Sequence, residues 1–327
     1  MNKVYECTLK GLRLLSLRMG ISKDIPLFHP EEDPDIVSKW ISDLLNSESP
    51  CMIARYGSTE MTAIVNYLGV KSGDHNPVHY ITGKSQQWWW NKDIFMQMSK
   101  WSGFFPSTEE NIAHFCEIML EDSKQVDLLG SWTKGEYLLK ELHPNVKRVH
   151  IGMLDPYWAT NPWTKCLENK RVLVIHPFAE TILSQYNKRS LLFSHKQVLP
   201  EFKELKVIKA VQTLGGQSED FKDWFEALEY MKKEIDHTDF DVCLIGCGAY
   251  GFPLAAHVKR KGKKAVHLGG SLQLLFGIMG NRWNHDVPHY WHGHTVHYAG
   301  LQNEFWVRPD KKDKPKNAQD VEGACYW

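Results

Sequence analysis

The chain has 327 residues, 43% apolar and 24% charged, ordinary globular proportions that exclude wholesale disorder. Thirty-nine Lys and Arg balance 39 Asp and Glu, so no basic excess marks a nucleic-acid binder, and no run of about 18 apolar residues offers a membrane-spanning helix. Seven scattered cysteines without a CxxC pair argue against a zinc ribbon or a disulfide framework and point to the reducing cytoplasm.

In chain order, residues 1–23 carry Lys3, Lys10, Arg13, Arg18 and Lys23 against Glu6 alone, with Leu9, Leu12, Leu15 and Met19 at helical spacing. An amphipathic helix packed on the domain is the preferred reading; a helix on the anionic inner face of a membrane is the other. Asp33-Pro34 suits a cap for a helix over 35–46, which completes an N-terminal helical segment, 1–50. Met52–Tyr56 reads as a buried strand, Gly57-Ser58-Thr59 as a tight turn, and Glu60–Leu68 as the helix that follows.

The stretch 75–165 is rich in tryptophan and harder to parse. A capped helix ending near 121, a strand at Val126–Leu129 and a helix at Lys134–Leu142 are expected there. From 172 the alternation is plain. Strands are predicted at Val172–Ile175, Lys206–Val211, Val242–Ile245 and Ala265–Leu268, with helices from about 178, over Phe221–Ile235 and over Pro253–Lys261. Continuous apolar strands alternating with helices predict an α/β fold, a mostly parallel sheet flanked by helices, over residues 51–308. Residues 309–327 read as a tail, with Lys311–Lys316 a solvated stretch. The 13 tryptophans leave core packing, sugar stacking and an interface all open.

Ligands of open α/β sheets bind beyond the carboxyl ends of the strands, and three such ends stand out. At the first, Arg55 can hold a phosphate with its planar fork, Gly57 permits close backbone approach, and the helix start offers free N–H groups to an anion. Glu60 there is a metal ligand, a base, or only a carboxylate favoured at a helix start. At the second, His176 and Glu180 suit acid–base work, with Lys188 and Arg189 further on; a helix-start carboxylate and a solvated basic face are the plainer explanation. The third is Gly246-Cys247-Gly248-Ala249-Tyr250-Gly251, a GxGxxG between strand and helix. The acidic residue an NAD site needs about 20 positions later is missing from KRKGKKAVHLGG, so NAD is rejected and a diphosphate or packing role kept. His267-Leu268-Gly269-Gly270 ends the next strand beside the same cleft. The cluster His285, His289, His292, His294 and His297 lacks strong metal spacing; zinc competes there with packing and sugar contact.

The segment Arg55-Tyr56-Gly57-Ser58-Thr59-Glu60 resembles the Arg-Phe-Gly-Asp-Gly-Glu motif of GT-D-type bacterial glycosyltransferases. The block 172–283, with VLVIHPFAETI, DFDVCLIGCGAYGFPLAAHVKRKGKKAVHLGG and FGIMGNRW, resembles proteins encoded in surface-polysaccharide gene clusters. The resemblance implies a Rossmann-like domain that takes a nucleotide-sugar donor and holds a metal through an Asp-x-Glu pair. Arg55, Gly57 and Glu60 match it; Ser58 and Thr59 replace its aspartate and glycine. The expectation is a glycosyltransferase moving a sugar from a UDP-type donor to a glycan or lipid-linked acceptor. Arg55, Lys188 and Arg189 would neutralise diphosphate beside Gly57, Ser58, Gly246, Gly248 and Gly251. Glu60 would position Mn²⁺, Mg²⁺ or a donor hydroxyl, and Glu180 or His176 would be the base. The rivals are a hydrolase of a phosphorylated sugar and a non-catalytic component of a polysaccharide assembly.

Overall fold

A computed structural model of the chain describes residues 2–213, 220–283, 289–291, 294–296, 298–313 and 325–327, with backbone alone at 289–291 and 294–296. Its strands are β1 (Cys51–Arg55), β2 (Leu128–Ser131), β3 (Lys147–His150), β4 (Arg171–His176), β5 (Glu204–Lys209), β6 (Val242–Ile245) and β7 (Lys264–His267). All seven pair in parallel in the order β3-β2-β1-β7-β6-β4-β5. Residues 289–291 and 294–296 form a separate antiparallel pair.

The helices are α1 (Lys3–Arg18), α2 (Pro34–Asn46), α3 (Ser58–Lys71), α4 (Pro77–Ile81), α5 (Lys92–Ser102), α6 (Glu109–Ser123), α7 (Ala179–Tyr186), α8 (Arg189–Leu192), α9 (Trp224–Asp236), α10 (Gly251–Arg260) and α11 (Leu272–Leu275). This is a Rossmann-like α/β fold. Its central strands read as unbroken apolar runs because both faces are covered. Leu173 and Ile175 pack with α3, α5, α6, α9 and α10 on one face, while Val172 and Val174 pack with α2, α7 and α11 on the other.

Most local signals lie where the sequence puts them. Asp33 caps α2 by accepting from the N–H groups of Asp35 and Ile36, with Pro34 in the first turn. Lys134–Leu142 is a 3-10 stretch instead of the α-helix predicted, tied at its start by a reciprocal Thr133–Glu136 cap. Strand β3 was not predicted: four residues at a sheet edge, two of them Lys147 and Arg148, carry no apolar run. Trp163 and Trp224 are fully buried, so part of the tryptophan surplus builds the core.

Helix α2, through Val37, Ile41 and Leu45, belongs to the same core as Trp327, so both contribute to the body of the fold. Lys311–Asp313 is a 3-10 turn whose Asp313 is buried and accepts from Thr181 Oγ1 at 2.7 Å, where a solvated stretch was expected. The remainder of that stretch lies outside the described residues. No described helix is long and apolar enough to cross a membrane.

Chain direction decides where the sheet opens. After β1 and β6 the chain leaves onto the face of α3 and α10; after β7 and β4 it leaves onto the face of α11 and α7. Neighbours β1/β7 and β6/β4 therefore part at their carboxyl ends, which is where such sheets bind ligands.

Candidate active site

A cavity of about 380 Å³ lies at the carboxyl ends of β1, β7, β6 and β4, and a second of about 990 Å³ adjoins it. Both volumes suit small-molecule ligands. Arg55, Trp132, Gly270, Arg282 and Tyr326 line both chambers, so they mark the passage between them.

Arg55 ends β1. Its Nε is buried without a hydrogen-bond partner, and among the described residues no carboxylate forms an ion pair with it. Burial pushes its pKa down, opposed chiefly by the negative charge of Glu60. The residue itself is half-buried, and a partly desolvated guanidinium without an anion is a costly arrangement that an anionic ligand relieves. Its Cζ lies 5.3 Å from the ring centre of Trp132. Trp132 is fixed at both ends: Nε1 donates to the Tyr56 carbonyl at 3.0 Å, and its backbone N–H donates to Glu136 Oε1 at 3.1 Å. Glu136 is buried, and the same oxygen accepts from Thr133 N and Oγ1 at 3.0 Å.

Gly57 precedes α3. A Cβ built there would sit 1.7 Å from Glu60 Oε2, so the buried Glu60 carboxylate folds back over the turn into the space a side chain would fill. Ser58 is exposed in the cavity wall.

Two histidines end the strands on either side of β6, His176 on β4 and His267 on β7. His176 Nδ1 accepts from the Phe178 N–H at 3.0 Å, which assigns the neutral ring's proton to Nε2. His267 Nδ1 lies 3.2 Å from the Ile245 carbonyl, so it donates and Nε2 keeps its lone pair. Neither Nε2 has a protein partner among the described residues, and both rings line the smaller cavity. Burial depresses both to about 3, with the Arg55 charge adding to the effect at His267. The pair presents one donor and one acceptor, both uncharged.

The glycine loop divides its work. Gly246 and Gly248 line the cavity, and Gly248 has φ +56°, in the left-handed region that favours glycine. Gly251 lines neither chamber: a Cβ there would lie 2.2 Å from His267 Cε1, so it seats α10 against β7.

Asp155 lines the larger chamber and is 6% exposed. Burial raises its pKa to about 6, while a hydrogen bond from Tyr298 OH, then Ser271, and the Arg55 charge pull it down. A carboxyl with its pKa raised by burial in a cleft is a candidate acid–base group. Sequence reasoning missed it because the irregular stretch after β3 has no periodicity. Arg282 and Tyr326 were missed too: Arg282 Nη1 donates to Tyr326 OH at 3.2 Å across a fold-back no spacing reveals.

The structure does not bring Glu180, Lys188 or Arg189 to either chamber. Helix α7 turns Ala179, Thr181, Ile182 and Gln185 inward and leaves Glu180 exposed. A helix after a parallel strand runs back toward the sheet's amino edge, so Lys188 ends up exposed and Arg189 pairs with Glu201, just ahead of β5, at 2.8 Å. Of the histidine cluster, His285, His292 and His297 lie outside the described residues, as do the side chains of His289 and His294. Among the described residues no three His, Cys, Asp or Glu side chains converge to hold a metal. With Ser58 in place of a second carboxylate and Glu60 folded over Gly57, these residues do not fit a protein-held Mn²⁺ or Mg²⁺.

Comparison of the chain with protein-family models, curated proteins and solved structures finds no match.

Proposed function

We propose that the chain is a glycosyltransferase that moves a sugar from a nucleotide-sugar donor to a glycan or lipid-linked acceptor, without a metal held by the protein. The observation that carries this reading is Arg55, half-buried at the passage between two chambers with its Nε buried and unpaired. The donor diphosphate lies against its guanidinium fork and the Gly246–Gly248 backbone, and the larger chamber takes the acceptor. Trp132 and Tyr326 stack on sugar rings at the passage. Asp155 takes the acceptor hydroxyl's proton as its oxygen bonds to the anomeric carbon. The anomeric C–O bond to phosphate breaks, and the diphosphate leaves with the electron pair against Arg55. His176 Nε2–H donates to, and His267 Nε2 accepts from, hydroxyl or phosphate groups of the donor.

The test is release of free nucleotide from a panel of nucleotide sugars, with and without an acceptor extract, in EDTA and then in Mn²⁺. Release that needs acceptor and persists in EDTA supports the reading. Release without acceptor marks a hydrolase of an activated sugar. Dependence on Mn²⁺ overturns the metal-free part, and no release from a folded chain overturns the enzyme.

A further inference from the structure

Helix α1 turns an apolar stripe away from its own protein. Val4, Thr8, Leu12, Leu15 and Met19 follow at spacings of four, four, three and four, which puts them on one side of the helix. Four of them are large and apolar, and these are 72, 42, 52 and 71% exposed. Ile21, just past the helix, is 62% exposed. The buried Leu9 and Ser16 lie roughly a quarter turn round the helix from the stripe, and Leu9 packs with Tyr80 and Trp89. The attachment to the domain thus uses one side only.

The charges divide in the same way. Arg13 turns inward, donating from Nη1 to the Ser85 carbonyl at 3.0 Å with its Cζ 4.6 Å from the ring centre of Tyr80. Lys3, Arg18 and Lys23 are exposed and form no ion pair among the described residues. Glu6, the one acid of α1, is half-buried, and Asp24 is engaged by Lys134. The outward surface is therefore an apolar stripe with exposed cations and no exposed acid on the helix, complementary to an anionic lipid surface: acyl chains for the stripe, headgroups for the cations. The chain that leaves α1 leads directly into the wall of the larger chamber, through Leu27, Phe28, His29, Glu31 and Glu32.

We infer that α1 docks this protein on an anionic lipid bilayer, with Val4, Leu12, Leu15 and Met19 at the headgroup–acyl boundary and Lys3, Arg18 and Lys23 on the phosphates. The inference does not rest on glycosyl transfer. If that reading also holds, docking sets the larger chamber near the surface where a lipid-linked acceptor sits.

The test is co-sedimentation of the full chain with vesicles of phosphatidylcholine alone and of phosphatidylcholine with phosphatidylglycerol, as salt is raised. Binding is expected to the anionic vesicles, weakening with salt because the attraction is screened over about 10 Å at 0.1 M. Leu12→Glu with Met19→Glu is expected to weaken it by roughly tenfold or more, and Lys3→Glu with Arg18→Glu to remove the preference for anionic lipid. Because all four side chains are exposed, circular dichroism melts of the variants are expected to match the wild type. Absence of vesicle binding at low salt overturns the inference. So does a concentration-dependent dimer that Leu12→Glu abolishes, since a second copy then covers the stripe. Binding that Leu12→Glu with Met19→Glu leaves undiminished also overturns it, by moving the contact elsewhere.

Discussion

Arg55 and Asp155 hold opposite positions as residues: one is a cation with its Nε buried and unpaired, the other an acid whose pKa burial raises to about 6. Arg55→Lys keeps the charge but removes the planar fork and the stacking on Trp132. Isothermal titration with UDP is expected to show a loss of about 1–3 kcal/mol, the range of a hydrogen bond to a charged group. An unchanged affinity would take the diphosphate away from β1. Asp155 works as a base only when ionised, so turnover is expected to rise with pH through about 6, the value burial gives it, and Asp155→Asn is expected to flatten that rise and remove most activity. Stability has the opposite sign. The folded carboxyl holds its proton to a higher pH than the unfolded one at about 3.9, so its contribution to stability falls as pH rises between about 4 and 6. Chemical denaturation across that window is expected to show Asp155→Asn gaining on the wild type.

Among the elements, the two strand–helix turns with glycine motifs look alike in sequence and differ in purpose. At β1–α3 the Cβ position of Gly57 is taken by the end of a flexible glutamate; at β6–α10 that of Gly251 is blocked by the buried His267 ring. Gly57→Ala is therefore expected to swing Glu60 aside with little change in melting temperature while altering nucleotide binding. Gly251→Ala is expected to cost about 1–3 kcal/mol in urea unfolding, as overpacking does. Equal losses of stability in both would show that neither turn is shaped for a ligand. The turns themselves are legible in the sequence, since a small-residue run between an apolar strand and an amphipathic helix has few other meanings. Gly251's role is not legible, because it depends on β7 lying beside β6, and strand order is absent from any local window. Arg55 and His176 could be read as strand ends. Glu180 misled because a carboxylate in a first helical turn gives no sign of which side of the helix it takes. Asp155 and Tyr326 reach the site only through long-range folding of segments without periodicity.

At the scale of the molecule, burial of neutral histidines makes the fold sensitive to acid. His143, His176 and His267 are pushed by burial to about 4, 3 and 3, whereas unfolded histidine titrates near 6.5. Below about 6.5 the unfolded chain binds more protons than the folded one, so stability is lost as pH falls. A drop in melting temperature on the order of 5 °C or more is expected between about pH 7 and 5. The double variant His176→Gln/His267→Gln is expected to retain more of its stability over that range; an equal drop would mean that the two rings are accessible enough to protonate in the folded state. The unsatisfied Nε of Arg55 has a further consequence, for finding the ligand. Any anion that completes its hydrogen bonds binds the folded chain and not the unfolded one, so it raises the melting temperature in proportion to the logarithm of its concentration over its dissociation constant. A thermal-shift screen of phosphorylated compounds therefore reports substrate class without an activity assay, and loss of the shift in Arg55→Lys identifies which hits occupy the passage.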